Sequence, residues 1–294
     1  MSYLYFPGCS LKSSGRAYEE SMLSVFSTLG LKINEIEDWN CCGATAYMSI
    51  SELKAFALSA RIFALAERQM QASDRADIVV PCAACYLGLN KTRHYLAEHP
   101  KLRRKIYKAL NAANLKYTGR MQVRHPLDVL NNDVGIEKIS SLLVNPLEGV
   151  QIACYYGCQL LRPYSDFDDQ HEPSTMDRLL KALGAEIVDW PLKSRCCGGS
   201  LTGTVQDVGL RLSYILLKEA KKRGCDVIAT ACPLCQFNLE CYQSRMNRYY
   251  KDKINVPVAY FTQLMGIAFG LSPQQLGIQR LFIPLKSGAG HVCL

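Results

Sequence analysis

The chain has 294 residues, of which 49% are hydrophobic and 20% are charged, and its formal net charge at pH 7 is +8. A chain of this length can bury a large core without covalent staples, so its 14 cysteines do not indicate a small disulfide-stabilised secreted scaffold. The first residues, Met1 to Cys9, lack the basic region and the long apolar stretch of a secretory signal. We therefore expect a cytoplasmic protein whose thiols stay reduced.

The first half of the chain is predicted to alternate short apolar strands with amphipathic helices, and cysteines follow three of the strands. In chain order the half has a strand at 3–6, Gly8-Cys9, a helix over about 15–30, a strand at 32–36, Cys41-Cys42-Gly43, a helix near 51–71, a strand at 76–80 and Cys82-Ala83-Ala84-Cys85. The Leu29-Gly30 pair before the second strand is a helix-stop signal.

The second half repeats this order of strands, cysteine motifs and helices. It has a strand at 150–153, Gly157-Cys158, the helix-stop pair Leu183-Gly184, a strand at 186–190, Cys196-Cys197-Gly198, a helix near 203–223, a strand at 226–229 and Cys232-Pro233-Leu234-Cys235. Five thiols in matched order in each half predict two metal sites of one kind.

A fourth strand and helix complete each half, at 123–130 and at 258–265. The strands are near-continuous Val, Ile and Leu runs joined by helices, which favours buried parallel sheets. We predict an α/β fold of two tandem, related halves, with mainly parallel sheets and cysteine turns at the strand carboxyl ends, where the turns of one half can converge. The predicted domains are 1–148, with an inserted basic helical segment at 100–120 that has no partner in the second half, and 149–294, with a C-terminal tail from 272.

The spacing of the cysteines helps to separate the possible kinds of thiol site. A zinc ribbon brings four ligands together on two short knuckles, whereas the two Cys-x-x-Cys pairs here are far apart along the chain. The adjacent pairs at 41–42 and 196–197 are not the thioredoxin arrangement, although the motif at Cys82 would resemble one in isolation. The compact ferredoxin run of a cubane cluster does not occur in the sequence. Iron and sulfur are therefore favoured, with zinc as the minor alternative.

Neither a membrane span nor nucleic-acid binding is predicted. The stretch from Ile254 to Gln279 contains no formally charged residue, but Pro257 and Pro273 interrupt it. It is therefore predicted to form a buried strand and helix rather than a membrane span. Metal-bound thiolates would offset much of the positive charge of the chain, so a nucleic-acid partner is not indicated either.

Because Gly-Cys, Cys-Cys-Gly and Cys-x-x-Cys occur twice, the chain resembles the cysteine-rich CCG-domain family, and within it the B subunit of heterodisulfide reductase. The resemblance covers essentially the whole chain, including the closing segment 260–273. It implies that each group of five cysteines holds a noncubane [4Fe–4S] cluster. The implied ligands are Cys9, Cys41, Cys42, Cys82 and Cys85 for the first cluster, and Cys158, Cys196, Cys197, Cys232 and Cys235 for the second.

The resemblance also implies a function, that of the catalytic component of a complex that reduces a disulfide, such as the coenzyme M–coenzyme B heterodisulfide, to two thiols. Electrons would come from a ferredoxin-like subunit and a flavoprotein subunit, because the sequence has no flavin or nicotinamide fingerprint. Two other roles remain open. One is electron transfer for a dehydrogenase of lactate, glycolate, glycerol phosphate or succinate type, and the other belongs to a sulfur-oxidising form of the complex.

Several further residues carry predictions. Lys12 and Arg195 lie close to cluster cysteines in the sequence and are expected to receive anionic tails of a thiol substrate. Cys154 is an alternative to Cys158 as a ligand, although only Cys158 follows the glycine that matches Gly8. The remaining cysteines, Cys225, Cys241 and Cys293, are expected not to bind iron, and the first two to act as small buried hydrophobes. His125 is expected to be a strand-end residue rather than a catalyst.

Overall fold

The structure is a computed structural model that describes residues 1–70, 75–164 and 166–285. Its centre consists of two four-stranded sheets. The strands are β1 (Ser2–Tyr5), β2 (Lys32–Glu35), β3 (Asp77–Val79), β4 (Gln122–Arg124), β5 (Gln151–Tyr155), β6 (Glu186–Ile187), β7 (Val227–Thr230) and β8 (Val258–Tyr260). The first sheet has the order β2-β1-β3-β4, the second has β6-β5-β7-β8, and all paired neighbours are parallel. The predicted α/β fold with two related halves is confirmed.

Helices connect the strands and cover both sheets. In the first half they are α1 (Gly8–Leu11), α2 (Arg16–Thr28), α3 (Ala46–Ile50), α4 (Glu52–Gln69), α5 (Ala83–Glu98), α6 (Pro100–Ala112), α7 (Pro126–Asp128), a π-helical turn (Val129–Val134) and α8 (Ile136–Ser140). In the second half they are α9 (Thr175–Ala182), α10 (Leu201–Thr204), α11 (Gln206–Lys222), α12 (Pro233–Glu240), α13 (Gln243–Tyr250), α14 (Phe261–Ala268), α15 (Pro273–Leu276) and a 3₁₀ turn (Ile278–Arg280).

The strand order places the cysteine motifs at the carboxyl edge of each sheet. Strand β1 lies between β2 and β3, so the connection from β1 to β2 runs to one side and the connection from β2 to β3 runs back past β1 to the other side. Such a reversal point opens a crevice beyond the strand ends, where α/β proteins bind their ligands. Cys9 follows β1 and Cys82 follows β3, and Cys158 and Cys232 follow β5 and β7 in the same way.

One expectation about the first half is wrong. The basic segment at 100–120 contains helix α6, but this helix has a counterpart, because α13 occupies the same place between the Cys-x-x-Cys helix and the fourth strand of the second half. Each packs on the long helix of its own half, α6 on α4 and α13 on α11. The basic surface of α6 hides an apolar side formed by Ile106 and Leu110, both buried.

The uncharged stretch near the C-terminus is confirmed as a buried strand and helix. It contains β8 and α14, and every residue of these two elements is buried. Within the described ranges, the structure contains no helix that is both long enough and apolar enough to cross a membrane.

The two halves pack against each other, and aromatic rings of one half stack on rings of the other. Helix α14 of the second half packs on α2 of the first, while α7 and α8 of the first half contact α9 of the second. Tyr18 stacks on Tyr260 with ring centroids 4.5 Å apart. Phe167 stacks on His125 at 6.2 Å. In both stacks one ring follows the Gly-Cys motif and the other lies at the end of the fourth strand, so the contact has approximate two-fold symmetry.

Candidate metal centres

The five predicted ligands of the first half meet at one place. The Cys42 and Cys85 sulfurs are 3.1 Å apart, and those of Cys41 and Cys9 are 3.9 Å apart. Cys82 completes the group, because it contacts Cys85 and lies within electrostatic reach of Cys9 and Cys42. Three separate turns are thus brought together by the parallel sheet. We call these five residues the first cysteine group.

The second half assembles its five cysteines in the same way. The Cys197 and Cys235 sulfurs are 3.5 Å apart. Cys196 is hydrogen-bonded to Cys158, and Cys232 contacts Cys235. We call these five residues the second cysteine group. The structure therefore brings all ten predicted ligands together in two sets, whereas their role as ligands stays a prediction.

Close contacts between the thiols of a group lower the pKa of some of them and raise the pKa of others. Hydrogen bonds from neighbouring thiols lower the pKa of Cys196 to about 6 and that of Cys197 to about 7. The same hydrogen bonds raise the pKa of the donor thiols Cys158 and Cys235. Since metals bind thiolates, loading of the site would release the remaining protons.

Each group contains five thiols, one more than a tetrahedral metal ion binds. Among the described residues, no three Cys, His, Asp or Glu side chains form a ready-made site for one metal ion, although five sulfurs lie close together in each group. The ligands of a polynuclear cluster surround several iron atoms and need not converge on one point. A mononuclear zinc site has a tetrahedral set of ligands at bond distance from a single centre.

Two glycines allow the backbone to pass close to the sulfurs. Gly8 has φ +66°, and a Cβ atom at this position would lie 2.9 Å from the Cys85 sulfur. Gly157 has φ +72°, and its Cβ would lie 3.2 Å from the Cys235 sulfur. A side chain would therefore strain the backbone at both positions and crowd the neighbouring cysteine sulfur. This explains why glycine precedes cysteine in both Gly-Cys motifs.

Backbone N–H groups point at the cysteine sulfurs, as expected around negatively charged thiolates. The Ala44 N–H donates to Cys42 Sγ, and the Gly199 N–H donates to Cys197 Sγ, both at 3.4 Å. The Gly198 N–H donates to Cys196 Sγ at 3.3 Å. Hydrogen bonds to ligand sulfurs are among the features that tune iron–sulfur clusters.

A buried serine fixes each Cys-Cys loop, and the sequence motifs alone do not predict this pair of serines. Ser59 on α4 donates to the Cys42 carbonyl at 3.0 Å, and Ser213 on α11 donates to the Cys197 carbonyl at 2.7 Å. Both serines are fully buried. The sequence feature that could identify them is the Leu-Ser pair that both long helices share, at 58–59 and at 212–213.

Unpartnered hydroxyl groups provide a further test of whether the site fits a cluster. Tyr18 and Tyr260 are 0% and 1% exposed, and their hydroxyls have no hydrogen-bond partner among the described residues. Both rings lie within electrostatic reach of Cys82 and Cys232, one cysteine from each group. Burying a hydroxyl without a partner is unfavourable, and the sulfur atoms of a bound cluster are weak acceptors. The described protein groups thus supply no acceptor for the two hydroxyls, and a sulfur-containing cofactor held by the cysteines would bring one into this region.

A cleft between the two halves gives access to the cysteines. One cavity of about 250 Å³ is lined by all five cysteines of the second group and by Thr45, Ser49 and Ala83 of the first half. An adjoining cavity of about 320 Å³ shares Thr45, Ser49 and Gln159 and also contacts Ala84, which lies between Cys82 and Cys85. We call the two cavities the interhalf cleft. It exposes the second cysteine group directly and reaches the Cys-x-x-Cys turn of the first.

The two predicted substrate cations differ in their surroundings. The Lys12 ammonium lies 2.6 Å from Glu19 Oε1 and 2.7 Å from Glu35 Oε2. An ammonium held by two carboxylates attracts an anion only weakly, so the structure argues against a substrate-binding role for Lys12. Arg195 is exposed, and its carbonyl accepts a hydrogen bond from the Tyr155 hydroxyl at 2.7 Å. Its role with substrate stays a prediction.

The remaining cysteines lie apart from the two groups. Cys154 is buried in β5, where its thiol is influenced by Asp177 and Lys193. Burial raises its pKa, which disfavours the thiolate that a metal needs. Cys225 and Cys241 are only half-buried, which differs from the expected full burial. Cys293 lies outside the described residues.

His125 lies at the end of β4, as expected, and is fully buried. Its Nε2 atom lies 3.1 Å from the Pro81 carbonyl, and its Nδ1 atom accepts a hydrogen bond from the Leu127 N–H at 3.2 Å. Burial lowers its pKa to about 4, so the imidazole is neutral at pH 7. Its ring helps to join the two halves.

Comparison with known proteins agrees with this architecture. The model of the cysteine-rich domain, CCG, matches residues 3–90 and 152–240, which contain both cysteine groups. The chain therefore belongs to the cysteine-rich CCG-domain family, as the sequence motifs predicted.

Three proteins are similar to this chain over most of its length. The chain is 31% identical to the 8-methylmenaquinol:fumarate reductase membrane anchor subunit of Wolinella succinogenes, over 94% of this chain and 95% of that protein. It is 29% identical to a protein of Archaeoglobus profundus named as similar to the B subunit of heterodisulfide reductase, over 94% and 93%. It is 28% identical to the B subunit of the ferredoxin:CoB-CoM heterodisulfide reductase of Methanosarcina mazei, over 94% and 91%. The predicted resemblance to this B subunit is confirmed.

The fold also resembles the crystal structure of a hypothetical protein from Helicobacter pylori. The TM-score is 0.75 with 15% sequence identity, and the match covers 97% of this chain. The chain spans about half, 52%, of that longer protein. At this level of identity the likeness concerns the fold.

Proposed function

We propose that the protein is an iron–sulfur subunit of a heterodisulfide-reductase-type complex and reduces a disulfide to two thiols. The main support is the convergence of five thiols at the carboxyl end of each parallel sheet, beside one cleft. Each group would hold one [4Fe–4S] cluster of the noncubane type. The ligands would be Cys9, Cys41, Cys42, Cys82 and Cys85 in the first half, and Cys158, Cys196, Cys197, Cys232 and Cys235 in the second.

The clusters, when bound, would supply the two electrons that convert a disulfide and two protons into two thiols. The chain itself provides the surroundings of this reaction. Thr45, Ser49 and Gln159 place hydroxyl and amide groups on the shared wall of the interhalf cleft, where they can orient a polar substrate. Residues of both halves line the cleft, which limits the positions that a bound substrate can adopt.

Partner subunits would deliver the electrons. The relatives from Wolinella succinogenes and Methanosarcina mazei are components of larger reductases by their names. We propose a ferredoxin-like subunit and a flavoprotein subunit as the partners of this chain. The purified chain alone is then expected to show no oxidation of NADH, because the sequence contains no nucleotide fingerprint.

A second candidate function is electron transfer without disulfide chemistry. It is favoured by the 31% identity to a protein named as a component of a fumarate reductase. In that case the two cysteine groups would hold relay clusters, and the interhalf cleft would need no substrate. The two functions make different demands on the cleft, because only disulfide reduction requires a thiol to reach the clusters.

Anaerobic spectroscopy with added thiols distinguishes the two functions. The cluster-loaded chain would be oxidised with and without a panel of thiols, and paramagnetic signals recorded. Disulfide reduction predicts a new signal that depends on the thiol and that broadens with isotope-labelled iron or sulfur. A Ser49→Trp variant, which fills the shared wall of the cleft, should keep its iron and lose the thiol-dependent signal. Spectra that ignore every thiol would favour the relay function.

A further inference from the structure

One side chain donates a hydrogen bond to a cysteine of the second group from a fully buried position. Asn238 lies on α12, one turn after Cys235, and is 0% exposed. Its Nδ2 atom is 3.4 Å from the Cys197 sulfur and 2.9 Å from the Gly199 carbonyl. Its Oδ1 atom accepts from the Thr202 hydroxyl at 2.8 Å. These partners fix the orientation of the amide, because its NH₂ group must face the two acceptors.

The internal repeat shows what the fold requires at this position. When Cys85 is matched with Cys235, the counterpart of Asn238 is Gly88; when Cys42 is matched with Cys197, the counterpart of Gly199 is Ala44. A Cβ atom on Gly88 would lie 3.3 Å from the Ala44 methyl group. In the first half the space is filled by the Ala44 methyl group, which faces Gly88. In the second half it is filled by the Asn238 amide, which faces Gly199. The fold accepts either arrangement, so packing alone does not require the amide.

The backbone hydrogen bonds at these two positions are the same in both halves. The N–H groups of Ala44 and Gly199 each donate to the second cysteine of their pair, at 3.4 Å. The Asn238 amide is thus added to an otherwise matched site. The first group has a side-chain donor on a different cysteine, because the partly exposed Ser10 hydroxyl hydrogen-bonds to Cys82.

Reduction adds negative charge to an iron–sulfur cluster and to its ligand sulfurs. A donor aimed at a ligand sulfur stabilises the reduced state more than the oxidised state and so raises the reduction potential. The effect is strong in a buried site, where water does not compete for the sulfur. We propose that Asn238 is a positioning residue that raises the reduction potential of the cluster held by the second cysteine group. The inference rests on the proposed function, because it requires that this group holds a cluster.

The test compares three variants of the full-length, cluster-loaded chain. Asn238→Leu removes the donor at similar volume, Thr202→Val removes the hydroxyl that orients the amide, and Ser10→Ala removes the side-chain donor of the first group. Iron and sulfide are measured first, and redox titrations followed by paramagnetic resonance then give the potential of each cluster. One lost charge-assisted hydrogen bond changes the reduction equilibrium about tenfold, which equals about 59 mV for one electron.

We expect Asn238→Leu to retain its iron and to shift one of two transitions downward by about this amount, with the other unchanged. Thr202→Val should shift the same transition by less, and Ser10→Ala should shift only the other one. Full iron content with unshifted potentials in Asn238→Leu would overturn the inference alone. If Asn238→Leu loses iron, the Thr202→Val variant decides the test. An unchanged reduction potential in Thr202→Val would overturn the inference, whereas a lowered potential would support it. A wild-type chain that binds no iron would overturn the proposed function as well.

Discussion

At the residue scale, Cys42 and Cys197 are the members of each Cys-Cys pair that face inward. Both are 3% exposed, and each contacts the second cysteine of its Cys-x-x-Cys motif. Their partners Cys41 and Cys196 are exposed. The two adjacent cysteines thus differ in exposure, and in the proposed cluster one loop would supply two ligands from different sides.

Replacing one inward cysteine should remove one cluster. We expect about eight iron atoms per wild-type chain and about four in Cys42→Ser or Cys197→Ser, since serine is a poor ligand for iron. Metal analysis of anaerobically purified protein gives the number. The matched controls Cys225→Ser and Cys241→Ser should retain the wild-type iron content. A loss of four irons from either control would show that the ligand sets are assigned wrongly, and zinc as the only stoichiometric metal would refute the iron–sulfur proposal.

Glu240 is a buried carboxylic acid, 2% exposed, and one of its oxygens accepts a hydrogen bond from the Ile283 N–H at 3.2 Å. Burial raises its pKa to about 7 from a usual value of 4.5. Because the folded pKa is the higher one, the protonated group contributes stability that is complete below the unfolded pKa and is lost as pH rises through about 7.

We therefore expect the metal-free wild type to lose about 2 kcal/mol more stability than Glu240→Gln between about pH 5 and about pH 8. Urea unfolding at both pH values measures the difference. The glutamine variant cannot ionise, so it serves as the reference that removes the contributions of all other titrating groups. Parallel pH dependences for the two proteins would show that Glu240 ionises normally.

At the scale of elements, the strand, turn and helix order was predictable because it is local. Apolar runs such as 76–80 give a buried strand, and the cysteines after them lie at the carboxyl edge of a parallel sheet. The contribution of Asn238 was not predictable, because its contact with Cys197 joins helix α12 to a loop 41 residues earlier in the chain. Helix α13 was not predictable either. Its sequence, Gln243–Tyr250, is mostly polar, and Met246 is its one buried apolar residue, so no apolar period indicates a helix.

Helix α2 is the part of the first half that packs on α14 of the second half. One residue of α2 should contribute most to the stability of this contact. Tyr18 is fully buried, stacks on the Tyr260 ring and makes an edge contact with the Phe261 ring. We expect Tyr18→Ala to lower the free energy of unfolding by about 3–5 kcal/mol, because the removed ring leaves a cavity. Leu23→Ala on the same helix is the control, since Leu23 is 37% exposed and should cost less than about 1 kcal/mol. Equal losses would contradict the importance of the stack.

At the scale of the whole molecule, the proposed division at 148/149 separates the two sheets but cuts through a shared core. Helix α14 is entirely buried, and a large part of its cover is α2 of the other half. Each half alone would expose this apolar surface to water. The halves are thus related in sequence and topology without being independent in packing.

Two separately expressed pieces, 1–148 and 149–294, should therefore assemble when they are produced together. We expect co-purification through a tag on either piece, because the apolar surface that each exposes is covered by the other. Size-exclusion chromatography should show a particle of the mass of the intact chain, 32.9 kDa. Each piece produced alone should aggregate or associate with itself. If the two pieces were stable monomers that did not bind each other, the shared core would be refuted.

The reciprocal stacks of Tyr18 on Tyr260 and of Phe167 on His125 also have a historical meaning. A polypeptide with a single copy of the repeat would carry both partners of such a stack, so two identical chains could pair about a two-fold axis with the same surface on each side. The present chain has the form of such a homodimer joined by a linker. Joining removes the dependence of pairing on concentration, and it also frees the copies to diverge. Identical polypeptides could not carry asparagine at one centre and glycine at the other, whereas a fused pair can.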